Sequence, residues 1–394
     1  MITKMFNRSL SVLLLLSAYS LQAQSVSLAT SAASAPPEME QTLTNEINSA
    51  IDRALDWLAA RQREDGTWSN RQFPALTAIP AWTFIRSDHP ERDQIVPAAV
   101  QSLLANVQPD GGIYREVAGR LGGGLSNYNT AIAMTVLHSL GDPDLTEIIL
   151  NARTFVSQGQ LTGDDIYHGG FGYDVRSQEP YADLMNTLQV LEAMRYTADL
   201  EEERPAGETR ATVDWEAAAA FVSRLQNPPE AGDDHAGGFA YSPSESKAGQ
   251  EELEDGTVIF RSFGSMTYTG LLALIYAGVD RNDPRVRSAF DWATRHWTLE
   301  ENPGMGSQGY FFFLNVLSRA LNAYGVEWIP QVRDQLLNWR REAALRLVRM
   351  QRIDPETGHG YWRNEDGRFW ENDPVLVTAY SILALQTIAV QDAQ

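Results

Sequence analysis

The chain has no cysteine among its 394 residues. That absence excludes disulfides, thiolate metal ligands, thiol nucleophiles and a lipoprotein anchor, and leaves apolar burial to hold the fold. Basic residues are scarce, 31 Lys and Arg against 51 Asp and Glu, and the formal charge of -20 repels nucleic acid and anionic lipid at long range. With six histidines and no His-x3-His or carboxylate-rich string, the sequence calls for no metal and no cofactor. Gly122-Gly123-Gly124 has neither a preceding strand nor a following lysine, which excludes a phosphate loop and leaves a turn. Apolar runs are short too: Val12–Leu16 follows Lys4 and Arg8, precedes small residues around Ala23, and is too short to span a bilayer. Residues 1–23 therefore read as a signal peptide for export to the periplasm or medium, and 24–44, rich in Ser, Ala and Pro toward its start, as a flexible leader. No stable membrane anchor is expected after cleavage.

What the chain does have is a repeat. A helix-patterned stretch runs into Gln, Gly and an aromatic, then into a more apolar helical stretch, six times in intact or worn form. The clearest copy is Trp57-Leu58, Gln62, Gly66 and Trp68, and a second is Leu103-Leu104, Gln108, Gly112 and Tyr114. Repeats of roughly 20 to 50 residues stack or close into rings, because one unit cannot bury its own core. Outer, amphipathic helices are predicted near Ile47–Leu58, Ile95–Val107, Leu145–Val156, Trp215–Leu225, Val286–Trp297 and Trp339–Met350. Inner helices, apolar all round, are predicted near Leu76–Ile85, Asn129–Leu140, Asp183–Met194, Met266–Tyr276, Tyr310–Leu321 and Val375–Ile388. The expected fold is all-α, an (α/α)6 toroid or barrel in a single domain over 45–394.

Gly141-Asp142-Pro143 and Gly278 with Asp283-Pro284 read as helix stop, N-cap and first-turn proline, joining inner to outer helices at one end of the barrel. The aromatic-glycine loops then gather at the other end. Glu201–Arg210 and Ser242–Gly256 interrupt the repeat, and Phe239–Tyr241 is read as pairing with Val258–Phe260 in a short hairpin.

The copies ending at Trp68, Tyr114, Tyr173, Tyr241 and Trp362 resemble the QW-type repeats of the prenyltransferase and squalene-cyclase superfamily, over nearly all of the mature chain. The stretches Gly264–Gly278 and Glu301–Gly306 are similar to its exported squalene-cyclase-like subgroup, which has no assigned reaction. The resemblance implies a toroid with a central cavity. It does not extend to the known catalytic motifs: Asp142-Pro143-Asp144-Leu145 lacks the final Asp of the squalene-hopene cyclase acid, and neither protein prenyltransferase zinc nor a complement-type thioester is available without cysteine.

Polar residues cluster instead at the loop-side starts of inner helices. Asn127, Tyr128, Asn129, Tyr181, Asn186, Arg261, Tyr268, Gln308, Tyr310 and Tyr380 are the candidate ligand-binding residues, with Trp82 and Phe312 as further aromatic lining. Asp183, Glu371, Asp373 and His168 are the candidate catalytic groups, as a carboxylate pair or as His with Tyr. The same residues have a structural reading, in which Asn127, Asp183 and Asp373 cap helices and His168 pins a loop. Three functions stay open: an enzyme acting on an isoprenoid-like or other small or linear ligand, with a glycan hydrolase or lyase as alternative; a non-catalytic module binding a lipid, glycan or peptide; or a protein scaffold. Oligomeric state is left open.

Overall fold

The computed structural model describes residues 41–117, 124–177, 179–330 and 335–389; the stretch read as a signal peptide, the stretch read as a leader up to residue 40, and Gly122-Gly123 lie outside the described residues. Among the described residues the chain runs through α1 (Gln41–Ala59), α2 (Ala75–Ile85), α3 (Arg92–Leu104), α4 (Ser126–His138), α5 (Thr146–Ser157), α6 (Leu184–Tyr196), α7 (Trp215–Arg224), α8 (Gly264–Tyr276), α9 (Pro284–Arg295), α10 (Tyr310–Tyr324), α11 (Trp339–Met350) and α12 (Pro374–Ala389). Odd-numbered helices form the outer wall and even-numbered helices the inner one, as the alternation of patterns predicts. α1 buries Ile47, Ala50, Ile51, Ala54, Leu55 and Leu58 and exposes Asp52 and Asp56, the stripe of a helix with one wet face. α12 is buried from Val375 to Ile388 apart from half-buried Tyr380, as befits a helix covered on both sides. α1 starts at Gln41, inside the stretch read as leader.

The repeat residues hold the walls together. Gln62 Nε2 donates to Gly66 O (3.1 Å) in its own loop and to Ile95 O (2.9 Å) of the next outer helix. Gln160 bridges Gly169 O (3.1 Å) and Asp214 O (2.9 Å), and Gln226 bridges Gly237 O (2.9 Å) and Arg285 O (2.8 Å) in the same way. Gly66 adopts φ +77°, and a Cβ there would lie 2.1 Å from Ala98 O, so only glycine lets the loop sit against α3. Threonines of the inner helices take the next step, the Thr130, Thr187, Thr267 and Thr378 hydroxyls accepting from loop amides of Ile113, Phe171, Phe239 and Trp362. The ring closes at the chain ends: Gln386 Nε2 of α12 donates to Thr83 O of α2 (2.9 Å), and Gln351 after α11 donates to Ala50 O of α1 (2.7 Å).

Short antiparallel hairpins decorate this frame: β1 (Gln250–Glu252) with β2 (Val258–Phe260), β3 (Trp328–Pro330) with β4 (Leu336–Asn338), and β5 (Arg352–Ile353) with β6 (Gly360–Tyr361). The expected pairing of Val258–Phe260 with Phe239–Tyr241 is therefore corrected. Asp255-Gly256 closes β2 onto the nearer strand, Leu253 N donating to Thr257 O (2.8 Å), while Phe239 bridges Gln226. In the other insertion, Glu201 is buried and accepts from Arg153 of α5 (2.8 Å) and from Arg204 (2.7 Å).

Candidate active site

All six inner helices begin at the loop-rich end, and a cavity of about 680 Å³ opens among their first turns. Ala75 and Leu76 of α2, Tyr128 of α4, Met185 of α6, Ser265 and Met266 of α8, Phe312 of α10, and Leu376 and Tyr380 of α12 face it. The loops add Phe73, Tyr173, Tyr181, Tyr241, Lys247, Phe263, Phe369 and Trp370, with Asp174 and Ser177. The volume falls within the roughly 300–1,000 Å³ of small-molecule sites.

Three tyrosines make one wall. Tyr173 and Tyr241 hydroxyls lie 2.5 Å apart, the Tyr173 and Tyr181 rings stack at 6.2 Å, and Tyr181 also hydrogen-bonds Tyr241. Behind them Asp183 caps α6, accepting from Asn186 N (2.9 Å) and Asn186 Nδ2 (2.7 Å), and receives the Tyr241 hydroxyl as well. Burial pushes the Asp183 carboxyl up to about 6, against the pull of Asn186, Tyr241 and Lys247. The same burial, with the Asp183 charge beside it, drives the Tyr241 phenol far above its ordinary range. Lys247 Nζ stands 4.5 Å from the Tyr241 ring centroid and donates to Glu245 Oε1 (2.6 Å). On another side Tyr128 and Tyr380 hydrogen-bond each other, and the Arg319 guanidinium acts on both. Arg319 is paired with Glu192, which also accepts from Tyr276 OH (3.2 Å), so the barrel interior carries a salt bridge from three inner helices.

The mouth is unusual in its backbone. Phe369 and Trp370 adopt φ 60° and 68°, and both are largely exposed, at 41% and 47%. Left-handed backbone costs a non-glycine residue roughly 1–2 kcal/mol. The turn is held by Asn364 Nδ2 donating to Ser307 O (2.7 Å), by Arg368 on Gln308, and by the edge of Trp370 against Phe73 (5.2 Å).

The candidate catalytic groups do not meet in the cavity. Glu371 is buried and accepts from Phe311 N (3.2 Å), Phe312 N (2.7 Å) and Asn364 Nδ2 (2.6 Å), the position of an anion at the N-terminus of α10. Burial raises its pKa above the usual carboxylate range, opposed by those hydrogen bonds. Asp373 caps α12 through Val375 N (2.9 Å) and takes the Ser69 hydroxyl on its other oxygen. His168 Nδ1 lies 3.0 Å from Gly163 O and its carbonyl accepts from Arg224, which pins a loop away from the lining. Each of the three carboxylates serves a different helix start, and none of them lines the cavity.

Of the candidate binding residues, Tyr128, Tyr181 and Tyr380 line it. Asn127 Nδ2 holds Gly172 O (2.7 Å), Asn129 Oδ1 caps Ala75 N (3.0 Å), and Asn186 serves Asp183. Arg261 pairs with Glu251 (3.3 Å), Gln308 with Arg368, and Tyr268 packs in the core against Phe313 (5.8 Å). Tyr310 OH accepts from Arg346 Nε (2.9 Å) at the outer wall, and Trp82 packs edge-on to Tyr196 (6.4 Å), so neither joins the lining. Phe73, Tyr173, Tyr241, Lys247, Phe369 and Trp370 were outside the candidate set. One signal pointed to Lys247: apart from Lys4 it is the only lysine in the sequence.

No family model matches the chain, and no curated protein matches it. Solved structures do. A type II terpene cyclase from Scytonema in complex with its product, merosterolic acid A, is 15% identical with a TM-score of 0.53, covering 89% of this chain and 99% of that one. The cellobiose 2-epimerase of Bacillus thermoamylovorans is 13% identical with a TM-score of 0.55, covering 89% and 99%. A GH76 α-mannanase of Bacteroides thetaiotaomicron is 11% identical with a TM-score of 0.51, covering 88% and 95%. At such identities the likeness shows the α/α-toroid fold.

Proposed function

We propose that the cavity is the binding site for an elongated, isoprenoid-like molecule, met outside the cytoplasm if the N-terminal segment acts as an export signal. The observation that carries this reading is the lining: aromatic faces from both loops and inner helices, and, among the described residues, a single carboxylate, Asp174, rather than a pair. Aromatic faces pack well against branched, unsaturated chains. A glycan hydrolase needs two carboxyl groups flanking the bond it cleaves. Here Glu371 and Asp373 hold helix starts, and Asp183 stands behind Tyr241. The toroid is common to the terpenoid and sugar enzymes it resembles, so fold does not choose between them. Alkene protonation would need a carboxyl group that delivers its proton into the cavity; Asp183 reaches it only through a phenol, and Asp174, on the lining, accepts from Ser126 N (2.8 Å) as part of the α4 start. Binding is thus the reading, with no reaction assigned.

The test is a titration of the mature protein with a tetraprenyl hydrocarbon delivered from cyclodextrin, followed by tryptophan emission, against a manno- or cello-oligosaccharide. Saturable binding of the prenyl chain alone is expected, and M185W, which fills the cavity from α6, should abolish it. Saturable binding of the sugar, or prenyl binding untouched by M185W, overturns the reading.

A further inference from the structure

We infer that the barrel carries a second site, at the end opposite the cavity, which takes an oxyanion, a carboxylate or a phosphate group, on Arg86 and Trp82 above the Arg319–Glu192 pair. The inference goes beyond the prenyl-chain reading and stands without it.

The inner helices that begin at the cavity end finish here, where Asp142-Pro143 and Asp283-Pro284 lead into the outer wall. α2 brings Trp82 and, one turn on, Arg86 beyond its last residue; α6 brings Glu192 and, one turn on, Tyr196; α8 ends on Tyr276. Arg319 lies five residues before the end of α10, about 7.5 Å in from the rim at 1.5 Å per residue. The side chains meet across the barrel. Arg319 pairs with Glu192, and Tyr276 OH donates to the same carboxylate (3.2 Å). Above them the Trp82 and Tyr196 rings stand edge-on at 6.4 Å, and the Arg86 guanidinium lies 5.9 Å from the Trp82 ring centroid. Arg319 keeps 17% of its side chain exposed despite its depth, and Tyr196 is 48% exposed. The ion pair is the floor of a recess and Trp82, Arg86 and Tyr196 are its rim.

Two donors on this rim have no acceptor. Trp82 Nε1 is buried without a hydrogen-bond partner. The Arg86 side chain makes no ion pair or hydrogen bond among the described residues, and Asp88, two residues on, is exposed and does not pair with it. Burial nevertheless pushes the Arg86 guanidinium below its ordinary range, with Arg319 adding to the push and Tyr196 and Glu192 opposing it. A cation desolvated without a partner is a cost that an anion removes. Capping α2 does not account for it, because Gln386 Nε2 of α12 already donates to Thr83 O (2.9 Å) and Arg86 O (3.3 Å). Glu192 is matched by Arg319, and Asp199 is turned to His138 (3.3 Å) and 60% exposed, so water screens it. The recess is left with the Arg86 charge. A guanidinium presents parallel N–H groups that fit the paired oxygens of a carboxylate or phosphate, and the indole N–H one turn away adds a third donor.

The experiment titrates the mature protein calorimetrically with sodium phosphate and with sodium acetate at neutral pH, sodium chloride holding the ionic strength constant. Saturable binding of at least one is expected, and the tighter of the two names the group. R86M should weaken it about tenfold, the factor for a lost charged donor, and W82F about threefold. R86K, which keeps the charge and loses the fork, should fall between R86M and wild type. Without the anion R86M should melt no lower than wild type, since the cation it removes is unpaired, and the anion should raise the melting temperature of wild type alone. M185W, which fills the prenyl cavity, should leave anion binding intact, and R86M should leave prenyl-chain binding intact. Absence of saturable binding by either anion, wild-type affinity in R86M, or an R86M protein that melts well below wild type in chloride alone overturns the site. Loss of anion binding in M185W overturns it too, by moving the anion to the prenyl cavity.

Discussion

Asp183 shows how one residue can be a helix cap and a stored charge problem at once. As a cap it gives α6 its first turn, through the amide of Asn186. As a buried carboxyl it resists ionising, because the hydrogen bonds it receives do not fully replace water. The consequence has a definite sign. In the unfolded chain the group titrates near 3.8, in the folded chain near 6, so between these values the folded state holds the proton more firmly. Stability from this group is present below 3.8 and is lost as pH rises to about 6, by about 3 kcal/mol at 1.36 kcal/mol per unit. D183N cannot ionise. Urea unfolding of both proteins across that window should show the wild type losing ground to D183N as pH rises, whatever the constant offset between them. A difference independent of pH would mean that Asp183 is solvated or paired in a way this geometry does not contain. An aspartate before an apolar helical stretch is legible in sequence as a cap, and that half of Asp183 was. Its partner Tyr241 comes from the next repeat, and no local pattern ties the two together.

At the scale of elements, periodicity told most of the story, because each outer helix has one wet face and each inner helix has none. All twelve predicted helices are present among the described residues, with ends displaced by the loops that cap them. The hairpin was misread for a local reason: Ser242–Gly256 has its own strand, Gln250–Glu252, and a turn at Asp255-Gly256 that competes successfully with the more distant Phe239–Tyr241. Glu371 was misread for a tertiary one. An acid just before the sixth inner helix suggests a cavity carboxylate, yet its side chain turns to the neighbouring helix start and holds the Phe311 and Phe312 amides of α10. Its second task is to anchor the turn that carries Phe369 and Trp370 in left-handed backbone. E371A should therefore cost about 3 kcal/mol, since it leaves buried amides and Asn364 unpaired, and should raise amide exchange over 364–373. E371Q keeps an acceptor and should cost less than half as much. Denaturation and exchange on both variants decide it. An E371A protein as stable as wild type would mean that Glu371 anchors neither α10 nor the turn.

Over the whole molecule, the question is whether twelve helices make a ring or a spring. The repeat alone allows either, since stacked helical units close only when the rotation per unit brings the last against the first. Closure was legible from the count of six pairs, and the contents of the cavity only in part: Tyr128, Tyr181 and Tyr380 stand at inner-helix starts, while Lys247 sits in an insertion that breaks the repeat and Trp370 in a loop with no local pattern that aims it inward. The seam is where the two architectures differ. In the middle of the chain Gln160 joins the end of α5 to Asp214 before α7, accepting from Asp214 N (2.7 Å) and donating to Asp214 O (2.9 Å). At the seam Gln351 does the same work between α11 and α1, donating to Ala50 O (2.7 Å) and accepting from Arg53 Nη2 (2.7 Å), across nearly the full length of the sequence. A closed ring makes these two staples equivalent, so Q351A and Q160A should each cost about 1–3 kcal/mol, and each variant should unfold in one transition. A superhelix with free ends would give Gln351 no partner, so Q351A would be neutral, and α1 would melt ahead of the rest. Chemical denaturation of the two variants, with hydrogen exchange comparing α1 and α6, separates the cases: protection in α1 equal to that in α6 is the mark of a closed ring, and early exchange confined to α1 and α12 would break it.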